Sequence, residues 1–256
     1  GLTSDIFVRP LGASWRPVLQ NQTGQPISAV ATGDRLHMFY TDRQHVILDA
    51  DGAAQVAGNL PGLLIAACAG NTPDEKNQPT VYILVRQTEL PIGETQPATS
   101  PASNNATTKT AKTQRTPLMY ECLYHATGNE WKFIASRRLS GEFPHRPSQR
   151  FLAFVEGKIY RLSQPNQGPI TRPFILCRYL PDTRNASWAG VHTLPNGQTP
   201  LGVIGIDNRL LAVIRPDTPK SEDVTTAPDE VSLSLLRFDP AAKKTVTIFP
   251  ITKMKT

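Results

Sequence analysis

One short pattern occurs four times along the chain, and a repeat constrains the fold more than any other sequence feature. In each copy a proline precedes a short apolar run by one to four residues. The runs are Ile27 to Ala31, Leu63 to Cys68, Phe151 to Val155 and Leu201 to Ile206. Near-continuous apolar runs of this length predict strands that are buried on both faces. A turn and a second strand follow each run, so each copy begins with a β-hairpin.

A second hairpin completes each copy, and its turns are rich in Gly, Asn, Asp and Pro, as tight turns require. Three of these hairpins align: Leu118 to Tyr124 with Trp131 to Ile134, Phe174 to Tyr179 with Trp188 to Val191, and Val231 to Phe238 with Thr245 to Ile248. The first copy has a shorter form, His45 to Leu48 with Ala54 to Val56. Four-stranded units are therefore predicted at about 26–60, 61–139, 147–194 and 200–251, with one further hairpin at 5–19.

Four-stranded units that repeat every ~40 to 50 residues, with no helix between them, are typical of β-propeller blades. Proline accounts for 23 of the 256 residues, which argues against long helices because an interior proline removes a hydrogen bond. We therefore predict an all-β chain that forms a single β-propeller domain over residues 1–256, with four blades plus an N-terminal half blade. A β-sandwich is the alternative, since short alternating strands also permit it.

The outer hairpins resemble kelch repeats. The resemblance lies in an aromatic residue or Leu before the turn and a Trp after it, as in Tyr179 and Trp188, with the unit ending at Leu194. The double glycine of kelch repeats is absent from every unit, and the Trp is missing from the first and fourth complete units. The resemblance implies a propeller with kelch-like outer hairpins and implies no activity.

The chain begins and ends with an outer hairpin. A propeller closes when the two terminal segments complete one blade, which removes the free sheet edge, and two outer hairpins cannot do this. We therefore predict a segment of a larger propeller, with closure of four blades alone as the alternative. Gly1 stands where an initiator Met is expected, which indicates processing or trimming, so the compartment stays open and includes an extracytoplasmic location. No apolar run approaches the ~20 residues of a transmembrane helix, so we predict a soluble domain.

Three insertions join the second and third strands of their units, at 88–116, 164–172 and 216–230. The first is rich in Thr, Pro, Ala, Ser and Asn and the last in Pro and acidic residues, so both are expected to be disordered. In a propeller these connections share one face with the links between blades, and we call it the loop-bearing face. Loops on a rigid scaffold commonly carry function, so this face is the best candidate for binding.

Positive charge is concentrated in one part of the chain. Residues 100–188 hold 13 basic and five acidic residues, whereas the whole chain has a net charge of +6. The basic residues expected in loops on the loop-bearing face are the candidate binding residues: Lys109, Lys112, Arg115, Arg137, Arg138, His145, Arg146 and Arg150. Such a surface favours an anionic ligand, although a basic surface that only aids solubility is the alternative. No nucleic-acid-binding motif accompanies the charge, so sequence-specific nucleic-acid recognition is not predicted.

The residue patterns of catalysis and metal binding are missing from the sequence. The five histidines lack the spacing of metal ligands, and no CxxC accompanies them. No GxSxG, phosphate-binding glycine loop or dinucleotide fingerprint is present. The four apolar runs carry no carboxylate that could serve as a general acid or base beside a central channel. No catalytic residue, metal ligand or cofactor is therefore predicted, and no disulfide among the three cysteines.

These observations favour a non-catalytic scaffold that presents a loop-rich, partly basic face to a protein partner, or that joins further blades of the same propeller. A glycan-binding or hydrolytic propeller, with its site at the mouth of the central channel, is the alternative. The two hypotheses differ in salt dependence, because screening weakens contacts between exposed charges and affects a closed pocket less.

Overall fold

The structure is a computed structural model that describes residues 3–8, 16–72, 78–91, 119–127, 129–139, 150–164, 173–180, 187–194, 197–206, 209–216, 230–239 and 244–255. These residues form 18 β-strands. None of them lies in a helix that could cross a membrane.

The strands form a two-stranded hairpin and four antiparallel four-stranded sheets, and within each sheet every strand pairs with the next one along the chain. The hairpin is β1 (Thr3–Val8) and β2 (Arg16–Thr23). Blade 1 consists of β3 (Pro26–Thr32), β4 (Arg35–Tyr40), β5 (Gln44–Leu48) and β6 (Ala54–Asn59). Blade 2 consists of β7 (Leu63–Asn71), β8 (Pro79–Gln87), β9 (Met119–Thr127) and β10 (Glu130–Leu139).

Blades 3 and 4 repeat this plan. Blade 3 consists of β11 (Arg150–Val155), β12 (Lys158–Ser163), β13 (Ile175–Leu180) and β14 (Ser187–Thr193). Blade 4 consists of β15 (Gln198–Ile206), β16 (Arg209–Pro216), β17 (Glu230–Asp239) and β18 (Lys244–Lys255). The first strands of the blades pack in the order β3, β7, β11, β15. The four sheets are therefore arranged as the blades of a β-propeller, which confirms the predicted fold class and leaves the β-sandwich alternative without support.

The hydrophobic core lies between the blades, because both faces of a buried sheet are apolar. Val30 and Phe39 of blade 1 pack with Val81 and Ile83 of blade 2. A second cluster joins blade 2 to blade 3, and a third, which includes Val155, joins blade 3 to blade 4. Each of these contacts buries several large side chains, and burial of one such side chain contributes roughly 1.5–3 kcal/mol.

Local turn chemistry explains why the strands end where they do. Between β11 and β12, Glu156 and Gly157 both have positive φ values, 49° and 71°, which a two-residue hairpin turn of the primed type requires. Close packing of the blades also requires a glycine, because a Cβ atom at Gly205 of β15 would lie 2.1 Å from the carbonyl oxygen of Phe154 on β11.

Most of the two long predicted insertions, 88–116 and 216–230, falls outside the described residues. The strands that flank them are described: β9 begins at Met119, and β17 begins at Glu230, the last residue of the second predicted insertion. The first strands of all four blades run from the loop-bearing face to the opposite face, because every blade has the same strand order. The hairpin turns between first and second strands therefore lie on the face opposite the insertions.

Candidate functional site

A cluster of three charged side chains, two of them buried, joins blade 2 to blade 3. Glu121 of β9 and Arg161 of β12 are 2% and 4% exposed. Arg161 donates a hydrogen bond from Nη1 to Glu121 Oε1, and Arg137 of β10 places Nη2 3.6 Å from the same oxygen. We call Glu121, Arg137 and Arg161 the Glu121 cluster. It ties two blades together through one carboxylate.

The sheet register explains how these three side chains meet. Arg137 lies directly opposite Glu121 in the β9–β10 ladder, so their side chains leave the same face of the sheet at short distance. Arg161 reaches the pair from the next blade, and its guanidinium carbon lies 4.6 Å from the centre of the Trp188 ring. Stacking on an aromatic ring holds the planar guanidinium in place.

The Glu121 cluster carries one more positive charge than negative charge. Burial, with a smaller contribution from the charge of Arg161, lowers the pKa of Arg137 to about 10. Burial also lowers the pKa of Arg161. A side-chain hydrogen bond with Cys177 opposes this shift at Arg161. Among the described residues, the Glu121 cluster therefore holds two guanidiniums and one carboxylate.

The Glu121 cluster lies toward the loop-bearing face. Glu121 is the third residue of β9, which begins on that face, and Arg137 is two residues from the end of β10, which returns to it. Arg161 is likewise two residues from the end of β12. The side chain of Arg137 is 36% exposed, so the cluster reaches the solvent through this residue.

The predicted binding residues fall into two groups. Arg137 and Arg138 belong to β10, whereas the sequence placed them in the loop that follows it. Arg137 is half-buried in the Glu121 cluster, and Arg138 is exposed. Arg150 is the first residue of β11, and only its backbone is described. The remaining candidates lie outside the described residues: Lys109, Lys112, Arg115, His145 and Arg146.

Sequence reasoning missed Glu121 and Arg161 as partners. Each is a charged residue within a strand of mostly apolar and aromatic neighbours, and a charged side chain in such a strand is rarely fully buried unless it is paired. That signal marks each residue as unusual. It does not identify the partner, because 40 residues separate Glu121 from Arg161.

A second buried polar group lies between blades 1 and 2. Thr32 Oγ1 is hydrogen-bonded to His37 Nε2 at 2.9 Å, and His37 Nδ1 is hydrogen-bonded to His45 Nε2 at 3.0 Å. His45 also packs against Phe39 and Trp131. Burial lowers the pKa of both histidines to about 4, with smaller contributions from Arg35 at His37 and from His37 at His45. The pair is neutral at pH 7 and serves as a polar link within the core.

Neither metal ligands nor a polar channel site stands out in the described part of the chain. Among the described residues, no three His, Cys, Asp or Glu side chains are placed to hold a metal ion. The strands β3, β7, β11 and β15 contain no Asp or Glu. A pocket between blades 3 and 4 is lined by apolar side chains and His192. A glycan site needs several convergent polar groups, and this pocket does not supply them.

Comparison with solved structures finds chains with a similar path. The tricorn protease matches 94% of this chain at 10% identity with a TM-score of 0.46, and this chain spans 24% of that one. YCF48 from Cyanidioschyzon merolae matches 95% of this chain, and 77% of its own, at 11% identity with a TM-score of 0.43. The computationally designed Ika8 protein matches 91% of this chain, and 76% of its own, at 8% identity with a TM-score of 0.32.

Similarity at these levels says nothing about activity. No protein-family model and no curated protein matches the sequence. The fold therefore stands on the strand pairing and blade packing described above.

Proposed function

We propose that the chain is a non-catalytic binding module that uses its loop-bearing face to hold an acidic segment of a protein partner. The observation that carries the proposal is the surplus positive charge of the Glu121 cluster, which reaches the surface through Arg137. A carboxylate from a partner would neutralise this charge and accept hydrogen bonds from guanidinium groups, which are stronger than bonds between neutral groups.

The neighbouring residues support the same assignment. Arg138 follows Arg137 in β10, projects to the other face of the sheet and is exposed, and the chain carries Arg146 and Arg150 within the next 12 residues. Clustered positive charge accelerates association with an acidic partner and sets its orientation. The rigid blades hold Arg137 in place, so little side-chain entropy is lost on binding. We also propose that the outer hairpins are kelch-like. The pairing of Tyr179 with Trp188 across one of these hairpins supports the assignment.

The test is fluorescence anisotropy with a labelled decaglutamate peptide. We expect binding to weaken on raising NaCl from 0.05 to 0.3 M, because the Debye length falls from above ~10 Å to below ~8 Å. The double variant Arg138→Glu/Arg146→Glu should bind about tenfold more weakly, since each reversal removes an attraction of up to about 1 kcal/mol and adds a repulsion.

Lys158→Glu/Arg209→Glu is the matched control. It makes the same charge change at two exposed residues, the first residues of β12 and β16, which lie next to hairpin turns on the opposite face, and it should leave peptide affinity unchanged. Equal loss in the control and in the double variant would show that only net charge matters. Binding of a 20-base-pair DNA duplex as tight as that of the peptide would indicate a general polyanion surface and refute a protein partner.

A further inference from the structure

The four blades place equivalent residues at equivalent positions, and these can be aligned on their first hairpins. In blades 1, 3 and 4, a two-residue turn separates the first strand from the second. Counting back from that turn, Ile206 of blade 4 corresponds to Val155 of blade 3 and Thr32 of blade 1. By the same count, Ile204 corresponds to Ala153 and Val30.

These positions face the next blade. Val30 packs in the core shared with blade 2, and Ala153 and Val155 pack in the core shared with blade 4. Ala153 is 2% exposed and Val155 is 1% exposed. In blade 4 the same two positions hold Ile204 and Ile206, which are 57% and 45% exposed. The register of β15 therefore directs two isoleucines to the side on which a next blade would bury them, and the described residues leave both exposed.

The first blade shows the complementary feature. The positions that face the previous blade are filled in blade 3 by Leu152 and Ile159, which are buried against blade 2. Their counterparts in blade 1 are Ala29 and Leu36, and both are exposed. The strands β3 and β15, which are described in full, do not pack against each other as consecutive first strands do.

We propose that the uncovered face of blade 4 docks on the uncovered face of blade 1 of a second copy of this chain. The contact would repeat the one between blades 3 and 4, with Ile204 and Ile206 in the places of Ala153 and Val155. Three contacts already join consecutive blades within one chain. The two uncovered faces are the two halves of a further contact of the same kind, so a second copy of the chain would continue the series. Two chains joined twice in this way close a ring of eight blades, which lies within the usual range of ~4–8 for propellers.

Within the described residues, β1 and β2 pack on each other. The proposal is independent of the acidic partner, because that partner is assigned to the loop-bearing face and this contact to the faces of two blades.

The experiment is light scattering coupled to size exclusion, from about 1 to 100 µM protein and in 0.5 M NaCl. We expect a species of two chains at high concentration, since an apolar contact persists in salt that screens charge. Ile204→Glu/Ile206→Glu should give one chain at every concentration. These residues are already exposed, so the variant should still fold, and a circular dichroism spectrum like that of the wild type would show it.

Leu63→Glu is the matched control. Leu63 is also 57% exposed, but it lies on β7, whose two neighbouring blades are both present. This variant should associate as the wild type does. A single chain at all wild-type concentrations would overturn the proposal, as would equal dissociation by Leu63→Glu, or growth into species larger than two chains.

Mixing experiments test the head-to-tail geometry. Leu36→Glu removes the other half of the contact and should also give single chains. Mixed with Ile204→Glu/Ile206→Glu, it should form a two-chain species, because one intact half remains on each variant. If Leu36→Glu alone still pairs, the contact joins two identical faces and the head-to-tail assignment is wrong. If the wild-type chain pairs but does not bind the decaglutamate peptide, the proposed function is refuted and this inference stands.

Discussion

Replacing Glu121 by glutamine tests whether the Glu121 cluster holds blades 2 and 3 together. The substitution keeps the shape of the side chain and removes its charge. Glu121 and Arg161 are both nearly fully buried, so the guanidinium of Arg161 would lose its counter-charge without gaining water. Removal of one partner from a buried ion pair costs roughly 3–5 kcal/mol. We expect a loss in this range, a large share of a typical total stability of about 5–15 kcal/mol.

The measurement is equilibrium unfolding in urea, followed by near-ultraviolet circular dichroism. Asp49→Asn is the matched control, since it makes the same change from carboxylate to amide in an exposed pair. Arg35 Nε lies 3.0 Å from Asp49 Oδ1, and the two side chains are 57% and 42% exposed. Exposed pairs contribute about 0.2–1 kcal/mol. The Glu121→Gln change should therefore lower the free energy of unfolding at least three times as much as Asp49→Asn.

A double variant tests the buried ion pair between Glu121 and Arg161 in a second way. Glu121→Gln/Arg161→Met removes both charges that lie deepest in the cluster and should be less destabilised than the sum of the two single variants. If Glu121→Gln costs less than about 1 kcal/mol, or no more than Asp49→Asn, then the buried ion pair does not stabilise the contact between the blades and the reasoning fails.

Three further predictions concern the core. The free energy of unfolding should fall as pH drops from about 6.5 to about 4, because His37 and His45 have a folded-state pKa near 4 and only the unfolded chain takes up their protons in this range. The urea midpoint of His37→Gln/His45→Gln should depend much less on pH. A wild-type urea midpoint that does not change with pH would contradict the prediction. Gly205→Ala should lower the free energy of unfolding by about 1–3 kcal/mol because the new Cβ atom would meet the backbone of β11. Gly202→Ala is the control: its Cβ atom would have nothing within 4 Å, so the change should stay within about 0.5 kcal/mol. Equal unfolding midpoints for the two variants would exclude close packing of Gly205 on β11. Iodoacetamide should label Cys177 first in the folded chain, since the other two cysteines are buried and burial raises the pKa of both thiols; two or more labels by mass spectrometry would show that the blades open.

Much of the fold was predictable because it depends on short-range chemistry. The alternation of side chains along a strand has a period of two, and hairpin turns need particular residues at adjacent positions. Residues such as Gly157 therefore mark where β11 ends, with no knowledge of what packs on it. Repetition of the same unit then predicts blades, since each sheet buries its faces only against a neighbour.

The candidate site was predictable only in part. The concentration of positive charge near Arg137 and Arg138 is a property of composition along the chain. The role of Arg137 does not follow from composition, because the strand register places Arg137 opposite Glu121, whereas Arg138 is exposed. Sequence spacing could not show that a guanidinium from the next blade would reach the same carboxylate.

The amino-acid sequence alone determined the strands, the turns, the grouping into four-stranded units and the basic stretch, since each depends on residues close together in the chain. Only the tertiary structure decided which charges are buried, which histidines share a hydrogen bond and which isoleucines remain uncovered. Those outcomes depend on contacts between blades, and burial of a charge or an apolar group has an energy only once a neighbouring sheet excludes water. Ile206 and Val155 occupy equivalent positions before a hairpin turn, and the presence of a next blade alone makes the difference between them.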